Sequence, residues 1–157
     1  MTHDTPIRVD HVGIAVESIA DAEPVLVALG CEKLTEESVE GRFRWAYYEL
    51  GDASRLELIE PETEGFLTEF LDEHGPGLHH VTLEVADIVR VIEACEAAGL
   101  RVIDRTDFEE WTEAFVSPRN ATGTLFQLME YHEGYANERP AGEGMYVGGA
   151  RLGGRME

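Results

Sequence analysis

The feature that most constrains the fold of this chain is an internal repeat. The segment "HVGIAVESIADAEPVLVALGCEKL", which begins at His11, aligns with "HVTLEVADIVRVIEACEAAGLRVI", which begins at His80. The spacing of 69 residues between these histidines also separates Gly30 from Gly99. Self-similarity at one fixed spacing indicates that a single structural unit occurs twice. Any fold proposed for the chain therefore consists of two related halves.

Each copy of the repeat predicts one β-α-β-β-β unit. An alternating strand precedes a helix that has an N-cap candidate, Ser18 or Asp87, and a glycine after its last turn, Gly30 or Gly99. The first copy predicts strand 9–16, helix 19–29 and strands 31–36, 43–50 and 55–59. The second copy predicts strand 79–85, helix 88–98 and strands 100–105, 112–117 and 124–130.

These units predict an α+β fold with two tandem modules that build a mixed sheet. We place a single domain at residues 1–131, with module one at 7–61, a crossover at 62–77 and module two at 78–131. The crossover predicts a short helix at 66–73, ended by a Gly-Pro-Gly breaker. Residues 132–157 predict a Gly-rich C-terminal tail.

The charge of the chain limits its partners. Acidic residues outnumber basic ones 32 to 12, the formal net charge is −20, and Lys33 is the only lysine. Such a surface repels phosphates, so we expect no nucleic-acid and no membrane partner. High salt screens the repulsion between acidic groups, and the composition therefore also favours a halophilic source.

The expected cellular location rests on two signals that the sequence does not show, a targeting segment and a membrane span. The first ten residues contain no apolar run, and no segment has the length and hydropathy of a membrane span. Cys31 and Cys95 form no CxxC motif and read as reduced, buried side chains. We expect a cytoplasmic protein.

Four polar residues occupy paired positions on the strands. Alternation places Val81, Leu83 and Val85 on one face of their strand and His80 on the other, with His79 assigned to the apolar face as a structural residue. His11 repeats the position of His80. In the last strand of each copy, Glu57 lies between two leucines and Gln127 between Phe126 and Leu128, at a spacing of 70 residues.

The types of these four residues point to a metal. A pseudo-twofold relation between the halves would bring two imidazoles, a carboxylate and an amide oxygen to one centre, with two positions left for water or substrate. Nitrogen and oxygen donors in an octahedral site suit Co²⁺, Ni²⁺, Mn²⁺ or Zn²⁺. The predicted ligands are His11, Glu57, His80 and Gln127.

Four motifs resemble one known family. "DHVGIAV", "LELIEP", "GLHHVTLEV" and "GTLFQL" are similar to motifs of the vicinal oxygen chelate superfamily, which includes glyoxalase I, extradiol dioxygenases and metal-free bleomycin-binding proteins. They cover nearly all of residues 7–131. The resemblance implies a glyoxalase-like fold, a concave mixed sheet around a divalent metal, and the same four ligand positions.

Two longer segments resemble methylmalonyl-CoA epimerases within that superfamily. They are "FLTEFLDEHGPGLHHVTLEVADI" and "AFVSPRNATGTLFQL". The resemblance implies a homodimer and a small-molecule substrate of the acyl-CoA type, whose phosphates Arg119 or Arg105 would contact. One departure concerns the ligands, because epimerases often have glutamine in module one and glutamate in module two. Here Glu57 comes first and Gln127 second.

The resemblance therefore implies a divalent-metal-dependent isomerase that moves a proton next to a carbonyl. One alternative is a glyoxalase I-like lyase that acts on a thiol hemithioacetal. Another is a metal-free ligand-binding module of the bleomycin-resistance type. An iron dioxygenase uses two histidines and a carboxylate, and Gln127 at the last ligand position argues against it.

Two glutamates are the predicted catalytic residues. Glu57 is assigned as both a metal ligand and the general base. An epimerase also needs an acid on the other face of the reacting carbon. We assign Glu113 to this role, with Glu49 and Glu84 as the alternatives.

Overall fold

Both copies of the repeat form the same series of elements in the computed structural model, which describes residues 3–50, 54–132, 146–147 and 150–151. The first copy contains β1 (Ile7–Ala15), α1 (Ile19–Leu29), β2 (Glu32–Val39), β3 (Phe43–Glu49) and β4 (Arg55–Pro61). Helix α2 (Phe66–His74) follows. The second copy contains β5 (Gly77–Val85), α3 (Ile88–Ala97), β6 (Val102–Asp107), β7 (Trp111–Val116) and β8 (Leu125–Tyr131). Two short strands, β9 (Tyr146–Val147) and β10 (Ala150–Arg151), pair with each other.

The strand order is the same in both halves. The neighbours run β2-β3-β4-β1 in the first half and β6-β7-β8-β5 in the second. Strand β1 is parallel to β4, whereas β3 is antiparallel to β2 and β4. Parallel and antiparallel pairs together make the sheet mixed, and the helices make the fold α+β. The predicted fold class is confirmed.

The ends of the elements differ from the prediction by a few residues, for reasons that the backbone shows. The prediction began β2 at Cys31 and β6 at Leu100, but both residues donate their backbone N–H to the preceding helix, at Leu26 and Cys95. The strands therefore begin one and two residues later. The predicted tail, 132–157, lies outside the described residues except for His132, β9 and β10.

The described chain divides into two compact units, and the boundaries between them lie inside β1 and β5. One unit is His11–His80, and the other combines residues 3–10 with the described residues from 81 onward. The beginning of β1 belongs to the second unit, where Arg8 forms an ion pair with Glu84 at 2.9 Å and Asp10 accepts a hydrogen bond from Tyr131. The predicted module limits follow the sequence repeat and stay a prediction.

The unit His11–His80 has one cluster of apolar residues on each face of its sheet. Val16 and Leu58 pack with α1, whereas their neighbours Ala15 and Ile59 pack with Leu67 of α2. Adjacent residues point to opposite faces of the sheet, so Ala15 and Val16 lie in different clusters, and so do Leu58 and Ile59. The alternation places Glu57 on the same face as Ile59, which is the face that α2 covers.

Two further sequence expectations concern cysteines and membranes. Cys31 is buried, Cys95 is partly buried, and both are free thiols. Within the residues that the structure describes, no helix has both the length and the apolar character that a membrane crossing requires.

Candidate metal centre

Three of the four predicted ligands meet inside the unit His11–His80. The Nε2 atoms of His11 and His80 lie 3.4 and 3.1 Å from Oε1 of Glu57. One donor atom from each residue fits within 4.8 Å of the others, and all three residues are at most 9% exposed. The structure therefore brings together residues that are distant in the chain, from β1, β4 and β5.

Strand pairing and one glycine determine how these side chains meet. Glu57 of β4 is the register partner of Gly13 in β1, and His11 lies two residues before Gly13 on the same face. The imidazole of His80 fills the space beside Gly13. A Cβ atom at this glycine would come within 2.1 Å of Cε1 of His80. The absence of a side chain at position 13 therefore permits the observed place of the His80 ring.

The carboxylate of Glu57 is stabilised in its ionised form. Burial opposes ionisation, but hydrogen bonds from His11 and His80, together with the charge of their rings, lower the pKa of Glu57 to about 2. The ring of His11 also lies beside Tyr47, with 5.0 Å between the ring centroids. The centre therefore holds an anionic oxygen between two imidazole nitrogens.

His79 contacts the centre in a way that strand alternation did not predict. Its Nδ1 lies 3.0 Å from Nδ1 of His80, and its ring packs against Phe66 and Phe70 of α2. Burial is the main cause that lowers the pKa of His79 to about 4, and the neighbouring His80 adds to the effect while Glu57 opposes it. The histidine pair in the sequence was the available signal, but it gave no indication that the two rings touch.

The other predicted site residues, Gln127 and Glu113, form a hydrogen-bonded pair in the second unit. Oε1 of Gln127 accepts a hydrogen bond from Thr82 at 2.7 Å, and its Nε2 donates to Oε1 of Glu113 at 3.2 Å. The indole of Trp111 donates to the same carboxylate oxygen at 3.0 Å. Both predicted residues are partly buried, and the structure places them on adjacent strands, β8 and β7.

The two alternative acids and the two arginines have other surroundings. Glu84 is ion-paired with Arg8, and Glu49 lies opposite Arg55 in the register of β3 and β4. The backbone of Arg119 donates to Ser117, and the guanidinium of Arg105 lies 3.9 Å from Asp107. Of the three acids considered, Glu113 is the one bonded to a predicted ligand.

The donor set fits a divalent first-row metal ion. Two imidazole nitrogens and one carboxylate oxygen suit zinc, cobalt, nickel and manganese, and they leave coordination positions for water or substrate. The ionised state of Glu57 and the space provided by Gly13 both fit that role. An amide oxygen has two lone pairs, so the bond from Thr82 leaves one lone pair of Gln127 for another partner.

Comparison with known proteins gives one family match. The family model described as Glyoxalase/Bleomycin resistance protein/Dioxygenase superfamily matches residues 10–115. The chain is also 36% identical, over 129 residues, to the uncharacterized protein YqjC of Bacillus subtilis (strain 168). The match covers 78% of this chain and 91% of that protein.

Several solved structures are similar to the structure of this chain. The hypothetical protein BH1468 from Bacillus halodurans C-125 is 31% identical at a TM-score of 0.72, covering 81% of this chain and 96% of that one. Methylmalonyl-CoA epimerase from Mycobacterium tuberculosis is 28% identical at 0.71, covering 82% and 91%. A Streptomyces coelicolor methylmalonyl-CoA epimerase, in complex with 2-nitronate-propionyl-CoA, is 26% identical at 0.69, covering 83% and 97%.

Proposed function

This chain belongs to the glyoxalase/bleomycin resistance protein/dioxygenase superfamily, and from that membership we propose that it is a divalent-metal-dependent isomerase similar to methylmalonyl-CoA epimerase. It would move a proton at the carbon next to the carbonyl of an acyl-CoA. The observation that carries this proposal is the buried cluster of His11, Glu57 and His80, whose donor atoms lie within 4.8 Å of one another. Epimerase neighbours, one of them in complex with an acyl-CoA analogue, support the substrate class.

The residues of the cluster have separate tasks in this proposal. His11 and His80 would hold a divalent ion as neutral nitrogen ligands. The ion would supply Lewis-acid polarisation of the substrate carbonyl, which acidifies the neighbouring C–H bond. Glu57, ionised and 8% exposed, is both a ligand and the general base. Cobalt, nickel, manganese and zinc all fit these donors, and Gln127 stays a predicted fourth ligand.

Glu113 is our candidate for the second acid. Epimerisation requires that a proton be returned to the face of the carbon opposite the one it left. The carboxylate of Glu113 accepts hydrogen bonds from Gln127 and Trp111, which fix its position. The carboxylate of Glu84, by contrast, is neutralised by Arg8 at 2.9 Å. A carboxylate bonded by neutral donors is better suited to proton transfer than one bound to a guanidinium.

The metal is the first part of the proposal to test. Purified protein is expected to contain or take up about one divalent ion per chain, as measured by elemental analysis and by titration with Co²⁺ or Zn²⁺. His80→Ala is expected to remove binding while cooperative unfolding persists. The matched control is His74→Ala, which alters an exposed histidine of α2 and should bind as the unaltered chain does. A chain that cannot be loaded would favour the metal-free ligand-binding alternative.

The reaction is tested by exchange of the substrate proton. Methylmalonyl-CoA incubated with the loaded protein in deuterated solvent is expected to gain deuterium at C2, as detected by mass spectrometry. Glu57→Gln should slow exchange by about 100-fold or more, since a positioned base contributes about that factor. Glu113→Gln should retain exchange from one epimer and lose interconversion. Turnover of a thiol hemithioacetal without this exchange would assign the protein to the glyoxalase I-like lyases instead.

The assembly expected from the resemblance is a homodimer. Sedimentation of the full chain at several protein concentrations measures this directly. A single species with the mass of one chain would contradict it.

A further inference from the structure

We propose that His79 positions the metal-binding imidazole of His80 by accepting a hydrogen bond from its Nδ1. The inference rests on the metal site of the proposed function and adds a residue that the ligand set does not contain. Within the unit His11–His80, the ring of His80 makes a close polar contact at each nitrogen. Its Nε2 lies 3.1 Å from Oε1 of Glu57, and its Nδ1 lies 3.0 Å from Nδ1 of His79.

The chemistry of imidazole determines which nitrogen can bind the metal. A neutral imidazole carries one N–H, so one nitrogen donates a hydrogen bond while the other offers a lone pair. The Nε2 of His80 faces Glu57 and His11, and it is therefore the nitrogen that must present a lone pair to an ion. With an ion held on Nε2, the proton of His80 would lie on Nδ1, and Nδ1 of His79, 3.0 Å away, would be its acceptor.

Helix α2 holds His79 in the position that this bond requires. The ring of His79 lies 4.9 Å from that of Phe70 at an interplanar angle of 78°, and 5.8 Å from that of Phe66. Two aromatic neighbours restrict the rotation of the imidazole, so its Nδ1 stays directed at His80. The helix comes from the segment between the two copies of the repeat. A segment without a counterpart in the other copy thus supports one of the ligands.

A hydrogen-bond acceptor behind a ligating histidine affects metal binding directly. It selects the tautomer and restricts the orientation of the ring, so that less reorganisation accompanies binding. Loss of such a partner typically lowers metal affinity by about 10–100-fold. A residue that only filled space would not have this effect on the metal.

The experiment compares two substitutions of His79 with the ligand variant His80→Ala. His79→Leu keeps apolar contact with α2 but removes the acceptor, and Zn²⁺ affinity measured against a competing chelator should fall by about 10–100-fold. His79→Asn keeps an acceptor, because its Oδ1 occupies the place of Nδ1, and it should regain most of that loss. The control His74→Leu alters the other histidine that packs on Phe70 and should leave affinity unchanged.

A measurement on the unaltered chain gives a second readout. In long-range ¹H–¹⁵N spectra of the Zn²⁺-loaded protein, His80 is expected to show a protonated Nδ1 and a metal-bound Nε2. A protonated Nε2 would overturn the proposal, as would His79→Leu binding Zn²⁺ like the unaltered chain. His79→Asn falling as far as His79→Leu would also overturn it. These spectra decide the question even if His79→Leu does not fold.

The two proposals fail in different ways. If the unaltered chain does not bind Zn²⁺, the metal site and the role of His79 both fall. If it binds, and His80→Ala abolishes binding while His79→Leu has no effect, the metal site stands and only the role of His79 is wrong.

Discussion

Gly13 and Thr82 show how one residue makes the two copies of the repeat different. They are 69 residues apart and therefore occupy the same position in β1 and β5. Gly13 has no side chain, and the imidazole of His80 occupies the space beside it. Thr82 is fully buried, and its hydroxyl donates to Gln127. The same backbone position thus accommodates an imidazole in one half and orients an amide in the other.

Substitution of Gly13 is expected to disrupt the metal centre. In Gly13→Ala the new Cβ would lie 2.1 Å from Cε1 and 2.5 Å from both ring nitrogens of His80, so the whole ring must move. We expect Zn²⁺ affinity to fall by about tenfold or more, since a displaced ligand binds poorly. Calorimetric titration measures this effect.

The matched control for this substitution is Gly77→Ala. Gly77 begins the strand that carries His80, and a Cβ there meets nothing within 4 Å. Its metal affinity should equal that of the unaltered chain. Equal affinity in Gly13→Ala would show that the ring of His80 is not confined by this glycine.

Helices α1 and α3 begin with the same two contacts. Ser18 and Asp87 are their N-caps, and each side chain accepts a hydrogen bond from the backbone three residues later. A glutamate near the end of the adjacent last strand adds a second bond, from Ile19 to Glu60 and from Ile88 to Glu130. The free N–H groups at a helix N-terminus favour a carboxylate. Each helix is therefore anchored to its sheet at its first turn.

Loss of either glutamate is expected to destabilise the chain by a similar amount. Glu60→Ala and Glu130→Ala should each lower the free energy of unfolding by about 1–2 kcal/mol, as measured by urea denaturation. Glu60→Gln, which keeps an acceptor without the charge, should lose less. Glu64→Ala changes an exposed glutamate and should remain within about 0.5 kcal/mol of the unaltered chain. An equal loss in all four variants would exclude a specific role of these bonds.

At the scale of elements, the sequence predicted every helix and strand of the two copies. Each element has a regular pattern of apolar residues and is bounded by capping or turn residues. The N-caps were predicted for the same reason. Strand ends were less accurate, since they depend on backbone bonds such as that from Leu100 to Cys95. The bonds from Ile19 to Glu60 and from Ile88 to Glu130 were not foreseen, because they join residues about forty positions apart.

Charge is the property that dominates the whole molecule. Acidic residues outnumber basic ones 32 to 12, which gives a formal net charge of −20. Repulsion between like charges disfavours the compact state, and dissolved salt screens it. The halophilic source favoured by this composition stays a prediction. The repulsion between acidic groups has a consequence for stability that can be measured.

The stability of the chain is expected to rise with salt concentration. The free energy of unfolding, from urea denaturation at increasing KCl, should increase steeply at first and then level off. The screening length falls from about 10 Å at 0.1 M to about 3 Å at 1 M, so most of the gain should come below about 0.5 M. A gain that grew evenly with concentration would point to exclusion of salt from the surface, and no gain would contradict the repulsion.

The sequence by itself determined the repeat, the order of elements and the face of each strand on which His11, Glu57 and His80 lie. These follow from periodicity, which is a local property of the chain. Only the tertiary structure decided that their donor atoms meet, that Gly13 leaves room for the His80 ring, and that Nδ1 of His79, whose ring packs against α2, lies 3.0 Å from Nδ1 of His80. Alternation along a strand assigns a face, but the distance between side chains depends on strand register and helix packing. Those arise from contacts between residues that are remote in the chain.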